Sequence, residues 1–271
     1  MNTRVILAIV RKDLKVAVQN KGVLLPIIVL PLVLFVIVPW IMSYASSLTG
    51  TTGTSSDIGQ LLERMPTSLL HELSGYTPAQ QLIVFSLVYM LAPMFLIMPL
   101  TVSSVLAADS FAGEKERKTL EALLYTPTTD RELFTAKLLG AWTAAVVVAV
   151  LSFIVYAVMV NAAGWHSIGH IFFPNWMWIA LVLWVTPAVA GLGLVVMVFA
   201  SARAQGFQDA YQTGGLVVLP VIALMVGQIS GVMYFSLGVV LIVGLVIWLI
   251  DAVLLWFASK SFRRGELMTK F

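Results

Sequence analysis

The sequence predicts an all-α integral membrane protein with six transmembrane helices in an N-in/C-in arrangement. An amphipathic interfacial helix precedes the first span, and a short charged helix lies on the cytoplasmic side between spans 2 and 3. Three observations carry this prediction. First, of 271 residues, 60% are from the AVILMFWYC set and 11% are charged, as 16 Lys+Arg and 13 Asp+Glu, against about 25% charged in an ordinary soluble domain. So few charges cannot cover a water-facing surface, whereas a lipid-facing one needs none. Second, six apolar runs are each long enough to cross a hydrocarbon layer that takes about 20 helical residues. Third, the basic residues are sorted by side.

The runs are Val23–Ser43, Leu82–Ala108, Leu133–Val160, Trp176–Ala200, Thr213–Ile229 and Phe235–Ser259. Pro26, Pro31 and Pro39 lie in the first, where neighbouring helices or local rewinding can satisfy the freed carbonyls, so kinks are expected there. Ser43-Tyr44-Ala45 loosely resembles a signal-peptidase site, but a signal core holds about 7–15 apolar residues, fewer than this run. Spans 5 and 6 are joined at a tight turn around Ser230-Gly231. With these spans, 15 of the 16 Lys and Arg residues fall on the side of the termini and Arg64 alone on the other. The positive-inside rule then places both termini in the cytoplasm and supports an even number of crossings. The outer segments carry Asp57, Glu63 and Glu72. Residues 1–271 read as a single transmembrane domain with no room for a separate soluble enzyme.

In residues 4–21, Leu7, Val10, Leu14 and Ala17/Val18 recur at helical spacing, while Arg4, Arg11, Lys12 and Lys15 fall on another face. That pattern is an interfacial helix whose basic residues anchor it among anionic headgroups; a topology anchor of positive charge is compatible with it. The outer loop 44–80 begins as a Ser/Thr/Gly-rich chain and becomes helical in pattern around Ile58, Leu61, Leu62 and Met65, then Leu69, Leu70 and Leu73. A lid on the outer leaflet and a plain surface loop both fit. His166 and His170 have i,i+4 spacing, but without a neighbouring carboxylate or Cys they suit an aromatic belt with Trp165, Trp176 and Trp178 better than a metal site. The absence of Cys excludes disulfides and thiolate chemistry.

The loop 109–131 carries the densest charge between spans. Leu120, Leu123 and Leu124 form an i,i+3,i+4 stripe behind the turn Glu114-Lys115-Glu116-Arg117-Lys118, and Pro127 ends the helix. Thr129 with Glu132 forms a capping box that starts the third span. Asp109, at the membrane edge, is expected to cap the loop helix. The stretch around Gly113 and Lys118-Thr119 is not a phosphate-binding loop, because the glycine required before the lysine is Arg117. Any ATP chemistry must therefore come from another polypeptide. Within the spans, Asp251 is the one clear charge, with pairing across subunits, snorkelling and substrate contact all open. Pro187–Gly193 and the Gly227-x-x-x-Gly231 spacing permit close helix contact.

The loop resembles the ABC-2 family of ABC-transporter membrane subunits. Glu114-Lys115-Glu116-Arg117, Thr119-Leu120-Glu121, Leu123-Leu124, Thr126-Pro127, Glu132-Leu133 and Lys137 follow that family's inner-loop pattern in order. Many members have Gly where this chain has Lys118. The resemblance implies a transport permease working as an exporter, with a second permease subunit as homo- or heterodimer and an ABC ATPase subunit below. ATP and Mg would bind in that ATPase, none in this chain, and a prokaryotic plasma membrane is the expected location. Glu114, Glu116, Arg117, Lys118, Thr119, Leu120, Glu121, Leu123, Leu124 and Pro127 would form the coupling helix that docks the ATPase, with the leucines as anchor and the charges as rim. No catalytic or metal-binding residues are expected. An ion-coupled secondary transporter or channel working without an ATPase is the alternative, and it would bring more midplane charge and repeated halves. A lipid-modifying intramembrane enzyme would need clustered acids, bases or metal ligands, which His71, His166 and His170 do not supply.

Overall fold

A computed structural model describes residues 3–51, 69, 72–118, 129–230 and 233–261. Seven helices organise them. Helix α1 is Thr3–Gln19. Helix α2 runs from Lys21–Leu32 through a π-helical turn, Val33–Ile37, into Val38–Thr51. Helix α3 is Pro78–Glu116, α4 is Asp130–Ile168, α5 is Trp176–Arg203, α6 is Phe207–Gln228 and α7 is Leu237–Ser261. Helices α2 to α7 are six helices long and apolar enough to cross a membrane, and an even number returns the chain to the end at which it entered. No strand occurs among the described residues.

Several helices overrun the apolar runs that predict them. Helices α3 and α4 have 39 residues each, so at 1.5 Å per residue each is about 58 Å long, nearly twice the hydrocarbon thickness. The surplus puts their linked ends beyond the bilayer core. Helix α3 does not stop near Ala108: it continues through a π-helical turn, Asp109–Gly113, to Glu116. Thr129 and Glu132 make the capping box that the sequence predicts, the Thr129 hydroxyl accepting from the Glu132 amide at 3.3 Å and the Glu132 carboxylate accepting from the Thr129 amide at 3.2 Å. Helix α6 starts earlier than its apolar run and is interrupted by a 3₁₀ turn, Gly215–Val218.

Helix α3 is the centre of the bundle, with 78% of its apolar stretch buried, against 17% for α2 and for α7. It packs on α2, α4 and α5, and α5 packs in turn on α7. The α3–α5 contact is close because Gly193 faces α3: a Cβ there would lie 2.6 Å from Ser103 Oγ and 2.8 Å from the Leu100 carbonyl. The small-residue stretch 187–193 thus serves as a helix seam. Gly227, by contrast, faces open space.

Helix α3 is broken in its first half by a π-helical turn, Phe85–Met90, and by Pro93. A proline supplies no amide hydrogen to the carbonyl four residues before it, which is Tyr89. Three successive carbonyls at the break accept from three other helices: Leu87 from the Tyr156 hydroxyl of α4, Val88 from Trp178 Nε1 of α5 at 2.7 Å, and Tyr89 from Gln228 Nε2 of α6 at 2.6 Å. An unpaired carbonyl in hydrocarbon costs several kcal/mol, so these bonds make the break tolerable and fix the four helices together. Phe35, Phe95, Phe153, Tyr156, Phe173 and Trp178 pack around it with neighbouring centroids 5.0–6.3 Å apart. Trp178 is therefore a core residue, not a belt residue as the sequence suggests; Trp165 and Trp176 remain exposed.

Candidate functional site

The charged end of the bundle is where α1 meets the ends of α3 and α4. Helix α1 has two apolar faces. Val5, Ile6 and Ile9 pack on Leu133 and Ala136 of α4, and Val10 lies against Gly140. Leu7 and Val18 are exposed, at 67% and 63%, and form the face left for lipid. The predicted apolar stripe is split between the two faces: Leu7 and Val18 are exposed, whereas Val10 and Ala17 turn to the protein, on the side set by Ile9, Asp13 and Ala17.

Between these helices lies a cluster of ionised side chains. Lys137, 1% exposed, donates to Glu114 Oε2 at 2.6 Å, to the Ser110 carbonyl at 2.6 Å and to Ser110 Oγ at 3.1 Å. Glu114, 4% exposed, also pairs with Lys12 of α1. Lys12 pairs further with Asp13 at 3.0 Å, and the Ser110 hydroxyl donates to Asp13 at 3.1 Å. Burial acts to lower the Lys12 pKa, but hydrogen bonds and charge attraction from Glu114 and Asp13 outweigh it and raise it above 10.5. Beside this group, Asp109 accepts from Arg117 Nη1 at 3.0 Å and from Asn20 Nδ2 at 3.0 Å. Gly113 gives that pair room, since a Cβ there would approach Asp109 Oδ1 to 2.9 Å.

The end of α3 is also tied to the α5–α6 link. Glu116 accepts from the Phe207 amide at 2.9 Å, and Lys115 donates to the Ala204 carbonyl at 3.3 Å. The segment Glu114–Lys118 is thereby joined to α1, α4 and the start of α6. At its end Lys118 has φ +56°, a left-handed conformation that a glycine adopts without steric cost and a lysine does not.

The sequence-based site is redistributed by this geometry. Glu114, expected in the rim of a docking surface, is buried in the ion cluster. Lys12, expected as a headgroup anchor, pairs with Glu114 and Asp13, while Arg4, Arg11 and Lys15 are exposed. Asp109 does not cap a new helix; it sits inside a continuing one and holds Arg117. Thr119, Leu120, Glu121, Leu123, Leu124 and Pro127 lie outside the described residues, as does the Ile58–Met65 stretch of the outer loop. Asp13, Asn20 and Ser110 were not legible as site residues: they sit on different segments, and only the crossing of α1 over α3 brings them to Lys137 and Asp109.

Asp251, 1% exposed, lies against α5, where a Cβ on Gly191 would come within 2.7 Å of Oδ2. Neither oxygen has a hydrogen-bond partner among the described residues. His166 and His170 are separated by Gly169, whose φ of +75° ends α4, and His170 stacks on Tyr76 at 6.0 Å. The i,i+4 spacing thus does not lie on one helix, and no group of three or more metal-ligating side chains occurs among the described residues.

A sequence profile described as ABC-2 family transporter protein matches residues 7–259. The chain belongs to the ABC-2 transporter family. Neither a curated protein nor a solved structure matches it. As a family member with six apolar helices, it is a multi-pass membrane protein and an ABC permease subunit. Such a subunit is not itself catalytic, and the family implies an ATPase partner.

Proposed function

We propose that this permease subunit is half of the membrane part of an exporter, driven by ATP hydrolysis in a separate ATPase subunit that docks at its charged end. A second permease subunit, identical or related, completes the pathway. In this reading the charged end faces the cytoplasm, as the 15 basic residues on that side require. The membrane is a prokaryotic plasma membrane, and ATP with Mg binds in the partner.

The observation that supports docking there is the wiring of Glu114–Lys118. A segment that receives force must be fixed to the helices it moves, and this one is held to α1, α4 and α6 by ion pairs and backbone hydrogen bonds. Leu120, Leu123 and Leu124, which follow it, would supply the apolar anchor, and Glu116, Arg117, Lys118 and Glu121 the polar edge. Glu114 acts behind that surface as the tie to Lys137. Closure of the ATPase pair would then swing α3 and α4 as a rigid pair between inward- and outward-facing states.

The test is capture of the ATPase subunit by the purified chain. Leu120→Ala with Leu123→Ala should abolish capture while the protein melts at an unchanged temperature. Undiminished capture would sink the docking assignment, and ATP hydrolysis by the isolated chain would sink the division of labour.

A further inference from the structure

At the end of the bundle opposite the charged cluster, a cavity of about 760 Å³ opens between Leu69 and Glu72, α3 and the starts of α5 and α7. Its volume suits a drug-sized organic molecule. Leu69 and Trp176 are among its apolar walls, and its carboxylate is Glu72. No basic side chain lines it among the described residues.

The polar groups are held in fixed positions. The Tyr89 hydroxyl donates to Glu72 and accepts from Asn175 Nδ2 at 3.4 Å, while Asn175 Oδ1 accepts from the Trp178 amide at 3.1 Å. Asn175 is thus anchored as the N-cap of α5, Tyr89 sits at the break in α3, and together they aim one carboxylate at the mouth of the cavity. A carboxylate can accept several bonds and keeps acceptor capacity after the one from Tyr89. Trp176, 77% exposed, offers an aromatic face of the kind that attracts a cation. The outer segments as a whole carry three acids against Arg64, so the local field also favours positive charge.

We propose that this vestibule binds an amphiphilic organic cation, with Glu72 as its counter-ion and Leu69 and Trp176 as its apolar wall. The inference rests on the export reading in taking such a cation as the transported class, but binding itself needs no ATPase. An apolar body fills the volume, a single delocalised charge meets Glu72, and an anion of the same shape is rejected by that carboxylate.

The experiment uses the full chain, purified in detergent without any ATPase, and tetraphenylphosphonium as probe in equilibrium dialysis. Saturable binding is expected, and the anion tetraphenylborate, dialysed separately because the two ions coprecipitate, should not bind. Glu72→Gln keeps an acceptor for the Tyr89 hydroxyl and should weaken tetraphenylphosphonium by about fivefold or more, leaving neutral triphenylphosphine oxide unaffected. Gly238→Trp should block both probes, because Gly238 lines the cavity and a Cβ there meets nothing within 4 Å. Absence of saturable binding, equal binding of tetraphenylborate, an unchanged affinity in Glu72→Gln, or full binding in Gly238→Trp would each overturn the assignment. If Glu72→Gln fails to fold, Gly238→Trp alone decides. Failure here leaves ATPase capture untouched, and failure of capture leaves this binding untouched, so the two readings fall separately.

Discussion

Replacing Lys137 by methionine removes the centre of the ion cluster while keeping an unbranched apolar stem of similar reach. The ammonium makes two bonds of 2.6 Å, to Glu114 and to the Ser110 carbonyl, and one of 3.1 Å to Ser110 Oγ. Hydrogen bonds to a charged group are worth about 1.5–3 kcal/mol each. Part of that is returned because the lysine no longer has to be desolvated, so the sum of the bonds overstates the loss. The larger effect is on Glu114, 4% exposed, which loses its buried partner while its pairing with Lys12 of α1 remains. Stripping one partner from a buried pair costs about 3–5 kcal/mol, and that is the loss expected for Lys137→Met in an unfolding titration in mixed micelles followed by circular dichroism. Adding Glu114→Leu removes the stranded charge and should recover about 2 kcal/mol or more, a positive coupling that only contacting residues show. A loss below about 1 kcal/mol for the single variant, or a double variant no more stable than the single, would refute the idea that this cluster holds α3 to α4.

Three further outcomes follow from the same geometry. Lys118→Gly should raise the stability by about 1 kcal/mol, because it removes the penalty of a side chain at positive φ, and a melting curve checks the sign. Gly193→Ala should lower stability by about 1–3 kcal/mol by forcing α3 and α5 apart, whereas Gly227→Ala should be neutral or stabilising by up to about 1 kcal/mol; equal effects at the two sites would deny the seam. The raised Lys12 pKa means that its contribution is complete below 10.5 and is lost as pH climbs through the folded value above it. Wild type should therefore lose stability above pH 10.5 more steeply than Lys12→Met, and Lys12→Arg, which stays charged, should remove the difference.

Much of this arrangement was legible because it rests on local chemistry. Thr129 and Glu132 are three residues apart, and a capping box needs nothing more than that spacing. The glycine common at the position of Lys118 is explained once its φ is known, yet the sequence departure already marked the place. Trp178 was misread because an indole near a span end suits the interface equally well; its burial depends on the break in α3, where the Val88 carbonyl needs a donor. Lys12 and Glu114 were misread for a related reason. Each lies on a charged helical face that suits water or headgroups, and nothing in either segment tells that the two faces meet.

The sequence by itself determined the membrane environment, the six spans, the family and the loop that carries its motif, since all of these depend on composition and on spacings within one segment. Tertiary structure decided which charges are paired and which helix is central. It also decided which carbonyls of the broken helix are satisfied, and where a carboxylate faces a cavity. Those outcomes depend on groups as far apart in the chain as Lys12, Glu114 and Lys137 or Tyr89 and Gln228, and only packing, which favours pairing buried polar groups because an unpaired one is costly at low dielectric, brings them together.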